Sequence, residues 1–415
     1  MGPTVLFDKS FIQSLSIDES VWFDHFFQSV LCAIFYIETL ADLEKSQETR
    51  TPEEEVALIA DKSPEMHCSP VPYHLELCCG NLMGSKVPMT GQIPLRGGRL
   101  VKSDMGIGFV YQPTPEADAF LRWHGKEFSE LERLYAHEWR QALGSLSLAD
   151  LAMELSGAGV DGKSCKSLSE ARTLAMRVVH PFSHPVQCMK RALLFLRIPT
   201  ALYGPILQRW TAVGCPPLAP YAPYASYMLT VELFFRIALA ANLISNRRLS
   251  NAIDIAYLAY LPLCNIFVSS DKLHRRCTPL FLRDDQEFVW GPDLKADLAT
   301  LDALYRRLPD DIKSKGIISF AGIPPRDRES LVAKLWDRHR PRWREVEEET
   351  ERGDPVEEAE LIAKLESVAN SPSLQAGEGI INPGGPEFIL VQNPVRKRKG
   401  SWWQLPEDLD VEDQQ

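Results

Sequence analysis

The sequence carries none of the short signatures that assign a common enzyme class at sight. It has no G-x-x-x-x-G-K-[ST] phosphate loop, no G-x-G-x-x-G after an apolar run, and no H-E-x-x-H. P-loop, dinucleotide-binding and zincin chemistry therefore have little support. It also lacks a long uninterrupted apolar run. The most apolar long window, residues 227–244, holds Glu232 and Arg236 near its middle, so it reads as a buried helix and no membrane partner is expected. No basic segment precedes the first apolar residues, and Asp8 interrupts them, so no secretory leader is read and a cytoplasmic setting is expected. Paired C-x-x-C spacing is missing too. In the densest cluster, His67, Cys68, His74, Cys78 and Cys79, an adjacent pair replaces that spacing, which favours buried thiols over a zinc site. Nine cysteines without a leader suit a reducing compartment. No internal repeat is found.

What is present is ordinary in amount and uneven in placement. The 415 residues allow two or three domains, and the apolar and charged fractions, 45% and 24%, are those of a globular chain. The net charge of −11 speaks against a nucleic-acid partner on average. Between residues 163 and 248, however, eleven basic residues face only Glu170 and Glu232. That stretch reads either as a footprint for a phosphate backbone or as a set of solvated helix faces.

Apolar spacing gives the order of elements. Residues 4–7 read as a buried strand ending at Asp8. Asp18 is placed as the N-cap of a helix whose apolar face includes Trp22, Phe23, Phe26 and Phe27. Residues 31–37, rich in aromatic and β-branched types, read as a second strand, with Glu38 opening the next helix. Residues 61–115 are rich in Pro and Gly and are expected to be irregular with short strands; 116–212 are expected to be mainly helical. A helix is placed at 225–244. Ser250 caps another, which holds Asp254 in its first turn and ends at Pro262. Residues 264–268 then read as a strand, with Ser270 and Asp271 at its carboxyl end. Further on, 294–308 and 328–336 read as helices, 316–320 as a strand, 345–367 as an acidic helix, and the end as partly disordered.

The carboxylates carry the chemistry. Asp8, Glu38 and Asp271 each follow an apolar run read as a strand, and Asp254 stands just before the last of these. In a parallel α/β sheet, ligands gather beyond the carboxyl ends of the strands. Acidic side chains converging there repel one another unless a cation shares them, and Mg²⁺ or Mn²⁺ takes oxygen donors of this kind. Such an ion activates water and polarises a phosphodiester. Asp42, one helical turn beyond Glu38, could join the set or be solvated, and the second is expected. Lys9, Lys272, His274, Arg247 and Arg248, with Arg275 and Arg276 beside them, are candidate phosphate contacts. For His274 the safer reading is a surface residue.

These pieces, Thr4-Val-Leu-Phe-Asp8-Lys-Ser10, Phe35-Tyr-Ile-Glu38, Asn251-Ala-Ile-Asp254 and Phe267-Val-Ser-Ser-Asp271, resemble the PIN-like nuclease domain. The resemblance covers about a quarter of the chain. It implies an open parallel sheet flanked by helices, with Asp8, Glu38, Asp254 and Asp271 as catalytic metal ligands and Ser270 orienting a carboxylate. It also implies a metal-dependent endonuclease, with RNA the expected substrate and single-stranded DNA the other candidate. On this reading residues 1–60 and 240–325 form the catalytic domain, 61–239 a mainly helical insertion, and 326–415 a C-terminal helical and acidic extension. Two other classes stay open: a PIN-like nucleic-acid-binding or regulatory module without cleavage, and an interaction protein built on the insertion and acidic tail. A homo-oligomer or a regulatory partner fits any of the three.

Overall fold

A computed structural model describes residues 2–45, 49–94, 98–157, 160–180, 184–345, 364–374 and 388–409. At its centre is a fully parallel five-stranded sheet. Strands β1 (Thr4–Phe7), β2 (Gln28–Cys32) and β3 (Cys68–Val71) form one half. A hairpin, β4 (Arg99–Ser103) and β5 (Gly106–Tyr111), stands apart and is joined in parallel by β8 (Phe388–Val391). Strands β6 (Ile266–Ser269) and β7 (Glu287–Trp290) complete the central sheet in the order β3-β2-β1-β6-β7. Val5 pairs with Ile266 on one side of β1, and Thr4 pairs with Gln28 on the other.

That order places a topological switch between β1 and β6. From β1 the chain winds outward to β2 and β3, then returns to the far side of β1 for β6 and β7. The crevice beyond the carboxyl ends of β1 and β6 is where ligands bind in sheets of this kind. Parallel strands are covered on both faces, which suits the apolar sequences of Thr4–Phe7 and Ile266–Ser269.

Helices flank the sheet, and their starts follow local rules. Ser16, rather than Asp18, caps helix Ile17–Phe26, because Ser16 and Glu19 close a reciprocal capping box. Thr51 and Glu54 do the same for Pro52–Lys62, with Pro at the first helical position. Helix Pro223–Ala240 is buried along most of its length, and its apolar residues belong to the same continuous core as Val5, Phe7 and Phe267. Inside that core Arg236 is only 1% exposed, and its guanidinium is bonded to Glu232 and Glu154. Among the described residues no helix is long and apolar enough to cross a membrane.

Several elements differ from the sequence reading. The second strand is Gln28–Cys32, and residues expected to continue it form helix Ala33–Leu40, so Glu38 lies within a helix and not after a strand. Residues expected as a strand near 316–320 form a single tight turn, Ile317–Ser319. Helix Ser250–Ala256 is shorter than expected, and Asp254 falls in its second turn. Strand β3 lies beyond residue 60, so the sheet draws on more of the chain than segments 1–60 and 240–325. Most of the acidic helix expected at 345–367 lies outside the described residues.

Candidate functional site

The four carboxylates are close enough that each feels or exerts the charge of another, and each is delivered differently. Asp8 follows β1 directly and caps helix Lys9–Ser14, accepting from the Phe11 amide at 3.0 Å. Asp271 lies two residues past β6, caps helix Lys272–Cys277, and accepts from the Leu273 amide at 2.6 Å. Glu38 comes from helix Ala33–Leu40, and the Tyr257 hydroxyl donates to it at 2.8 Å. Asp254 comes from helix Ser250–Ala256.

Their electrostatics separate them. Burial alone would push Asp8 up; the imidazolium of His274, with the Ser10 and Ser269 hydroxyls, outweighs it and holds Asp8 below the usual carboxylate range. Glu38 is pushed up by burial, with Asp8 and Asp42 adding repulsion and Lys9 and Tyr257 only partly offsetting it. Asp254 is pushed up to about 7, first by burial and then by Asp271 and Glu38, while His274 and Arg248 pull the other way. Its Oδ2 atom is buried and has no hydrogen-bond partner. So Asp8 is a satisfied anion, and Asp254 is a carboxylate with one buried oxygen that lacks a partner.

His274 organises this arrangement. It is 1% exposed, not a surface residue, and lies at the junction of three elements. Its Nδ1 is 2.7 Å from Ser269 Oγ and 3.4 Å from Asp8 Oδ2, and its Nε2 is 2.6 Å from the backbone oxygen of Asp254. Burial opposes the charge on this ring, but Asp8 and then Asp254 more than compensate, so its pKa is raised. Ser269 donates to Asp8 at 2.8 Å and accepts from the Asp271 amide at 2.9 Å. The hydroxyls that orient a carboxylate are therefore Ser269 and Ser10, which donates to Asp8 at 2.7 Å, and not Ser270. Ser270 Oγ is buried without a partner, and a Cβ at Gly291 would stand 2.2 Å from it.

The basic candidates divide by burial. Lys9 is interior: its ammonium reaches the Glu38 backbone oxygen at 2.9 Å and pairs with Asp42. Asp42 is itself 2% exposed and is held on its other side by Arg140 at 3.2 Å, so it is not solvated as expected. Lys9 and His274 are thus internal counter-charges and are not placed to hold a substrate phosphate. Arg247, Arg248 and Lys272 are exposed, and Arg248 reaches Asp271 at 3.7 Å. Arg275 is also exposed and lies over the Trp290 ring. Sequence reasoning missed Ser269, Tyr257 and Arg140, because their partners are distant in the chain.

No known protein family, characterised protein or solved structure matches this chain. Among the described residues, no three His, Cys, Asp or Glu side chains form a group that could hold a metal ion as they stand. The donor chemistry nevertheless suits a hard divalent cation. Glu38 and Asp254 are oxygen donors driven toward neutrality by burial and mutual repulsion, and one Asp254 oxygen is unbonded.

Proposed function

We propose that this chain is a metal-dependent endonuclease with a PIN-like site, acting on RNA. The observation that carries the reading is the buried, unpartnered Asp254 Oδ2 among like charges at the sheet's switch point. A buried carboxylate in that position needs either a proton or a cation. Glu38, Asp254 and Asp271 would hold Mg²⁺ or Mn²⁺, and Asp8 would join them from β1. Such an ion would lower the pKa of a bound water and stabilise the leaving oxygen of a phosphodiester. The protein's own residues supply the rest. His274 and Ser269 fix Asp8, Lys9 with Tyr257 hold the Glu38 side of the crevice, and Arg247, Arg248 and Lys272 offer exposed cations to the substrate's phosphates.

A second reading has its own support. Asp8 already has a charge partner, and both Asp8 and Asp271 cap helices, which suits a nucleic-acid-binding or regulatory module without cleavage. The nine cysteines are all free, which supports a reducing, cytoplasmic setting for either.

Cleavage of labelled single-stranded RNA in Mn²⁺ separates the readings. The wild type is expected to cut, and Asp254→Asn to lose at least a hundredfold in rate, as when one buried electrostatic contact to the reaction is removed. RNA bound but left intact by the wild type would select the binding module. Equal cleavage by both proteins would place the chemistry elsewhere.

A further inference from the structure

Behind the carboxylate crevice lies a cavity of about 340 Å³, within the range of small-ligand sites. It is bounded by helices Pro223–Ala240, Glu130–Ser145, His74–Leu82 and Ser250–Ala256. Its wall is mainly apolar, with Leu143, Leu151, Phe195, Met228 and Phe235 among the lining side chains. Two nitrogens on this wall, His74 Nδ1 and Trp139 Nε1, are buried and have no hydrogen-bond partner. Native proteins pair nearly all such groups, so two orphans on one cavity indicate a ligand that pairs them.

The polar groups define what that ligand must offer. An indole N–H can only donate. Burial lowers His74 to about 4, so its ring is neutral at physiological pH, and in the tautomer that carries its hydrogen on Nδ1 it donates into the cavity. Two lining residues carry charge. Glu232 is bonded at 2.8 Å to Arg236, a guanidinium that it shares with Glu154. Arg197 is exposed and makes no ion pair among the described residues. It follows helix Pro185–Phe195 in a left-handed conformation, φ 52°, where Gly or Asn is the usual residue. Its amide and that of Ile198 close the helix end on the Leu194 and Leu193 carbonyls, both at 3.1 Å, which leaves the Arg197 side chain without a capping role. Donors with one available cation, around an apolar chamber, call for an anion with an apolar body.

We propose that this cavity binds a monocarboxylate with an apolar chain, such as a medium-chain fatty acid. The carboxylate accepts from Trp139 and His74, Arg197 supplies the charge, and the chain lies against the leucine, methionine and phenylalanine wall. The proposal is independent of the nuclease reading and goes beyond it. A ligand seated there would touch Ile34 and Ile253, on the helices that carry Glu38 and Asp254.

Isothermal titration of the full chain with decanoate, and separately with decanol, tests this below the micellar concentration of each. Saturable binding of decanoate is expected, with decanol at least tenfold weaker. Trp139→Phe keeps the ring and removes the N–H; Arg197→Gln removes a charge at an exposed position. Each is expected to weaken decanoate about tenfold, the effect of one charge-assisted hydrogen bond. Absence of saturable decanoate binding overturns the proposal. So does decanol binding as tightly, or unchanged affinity in both variants. If Trp139→Phe fails to fold, Arg197→Gln alone decides.

Discussion

Replacing Asp254 by Asn tests the state of the carboxylate crevice without any assumption about substrate. Burial, aided by Asp271 and Glu38, raises this carboxyl from 3.8 to about 7 in the folded chain. The folded state then binds the proton more tightly than the unfolded chain does. The sign follows from linkage: the charged carboxylate opposes folding, so stability is fullest below about pH 4, falls between about 4 and 7, and levels off above. A gap of about 3 pH units corresponds to about 4 kcal/mol. Water reaching the partly exposed residue reduces this, and roughly 2–4 kcal/mol is expected. Asn carries no such penalty. For a chain of 415 residues the unfolding entropy is about 0.9 kcal/mol/K, so each kcal/mol moves the melting midpoint about 1 °C. Scanning calorimetry in EDTA should therefore show Asp254→Asn melting roughly 2–4 °C above wild type at pH 8.5. The gain should fall to under half of that at pH 5. Mn²⁺ at a hundredfold excess over its Kd should stabilise the wild type by about 2.7 kcal/mol and leave the variant unchanged. An Asn variant that melts below wild type at pH 8.5, or gains equally at both pH values, would refute this account.

Two further perturbations probe the supports of the site. His274→Gln removes a buried imidazolium from Asp8, and should cost about 3–5 kcal/mol below pH 6.5. Because the folded His274 pKa is raised, that contribution fades as pH rises through the folded value, so urea unfolding at pH 6 and at pH 9 should give a smaller cost at the higher pH. Ser270→Ala should stabilise by about 1 kcal/mol, since its hydroxyl is buried and unpaired. Gly291→Ala should destabilise by about 1–3 kcal/mol through contact with Ser270 and Phe11, and the double variant should recover part of it in a mutant cycle.

How far the sequence told this depends on the kind of signal. The first strand and the late strand were legible, because Val5, Leu6 and Phe7, and Ile266, Phe267 and Val268, are short apolar runs that each end at an acidic or polar residue. The junction at Cys32 was not. Helix Ala33–Leu40 buries Ile34, Phe35, Ile37, Thr39 and Leu40, so it has no polar stripe, and an apolar run without one cannot be told from a strand by period. Strand β3 was hidden by Pro70, which is admissible only because this strand is at the edge of the sheet. In the site, the positions of Asp8 and Asp271 followed from their strands. The burial of Lys9, Asp42 and His274 did not, since charged residues are usually solvated and their partners lie elsewhere in the chain. The serine was misplaced by one residue, because the strand runs to Ser269 and the hydroxyl of Ser270, one position past its end, lies against Gly291 instead.

The strand order also bears on how the protein is made. Strand β1 is central, yet its neighbour on one side, Ile266–Ser269, is encoded some 260 residues later. At about 5–20 residues per second, roughly 13–50 seconds separate the synthesis of the two. Through that interval the β1–β2–β3 half has an unsatisfied edge at Thr4–Phe7, bearing Val5, Leu6 and Phe7. That edge can be closed by its own partner only after Ile266–Ser269 has left the ribosome, so the sheet cannot be completed until about two thirds of the chain has been made.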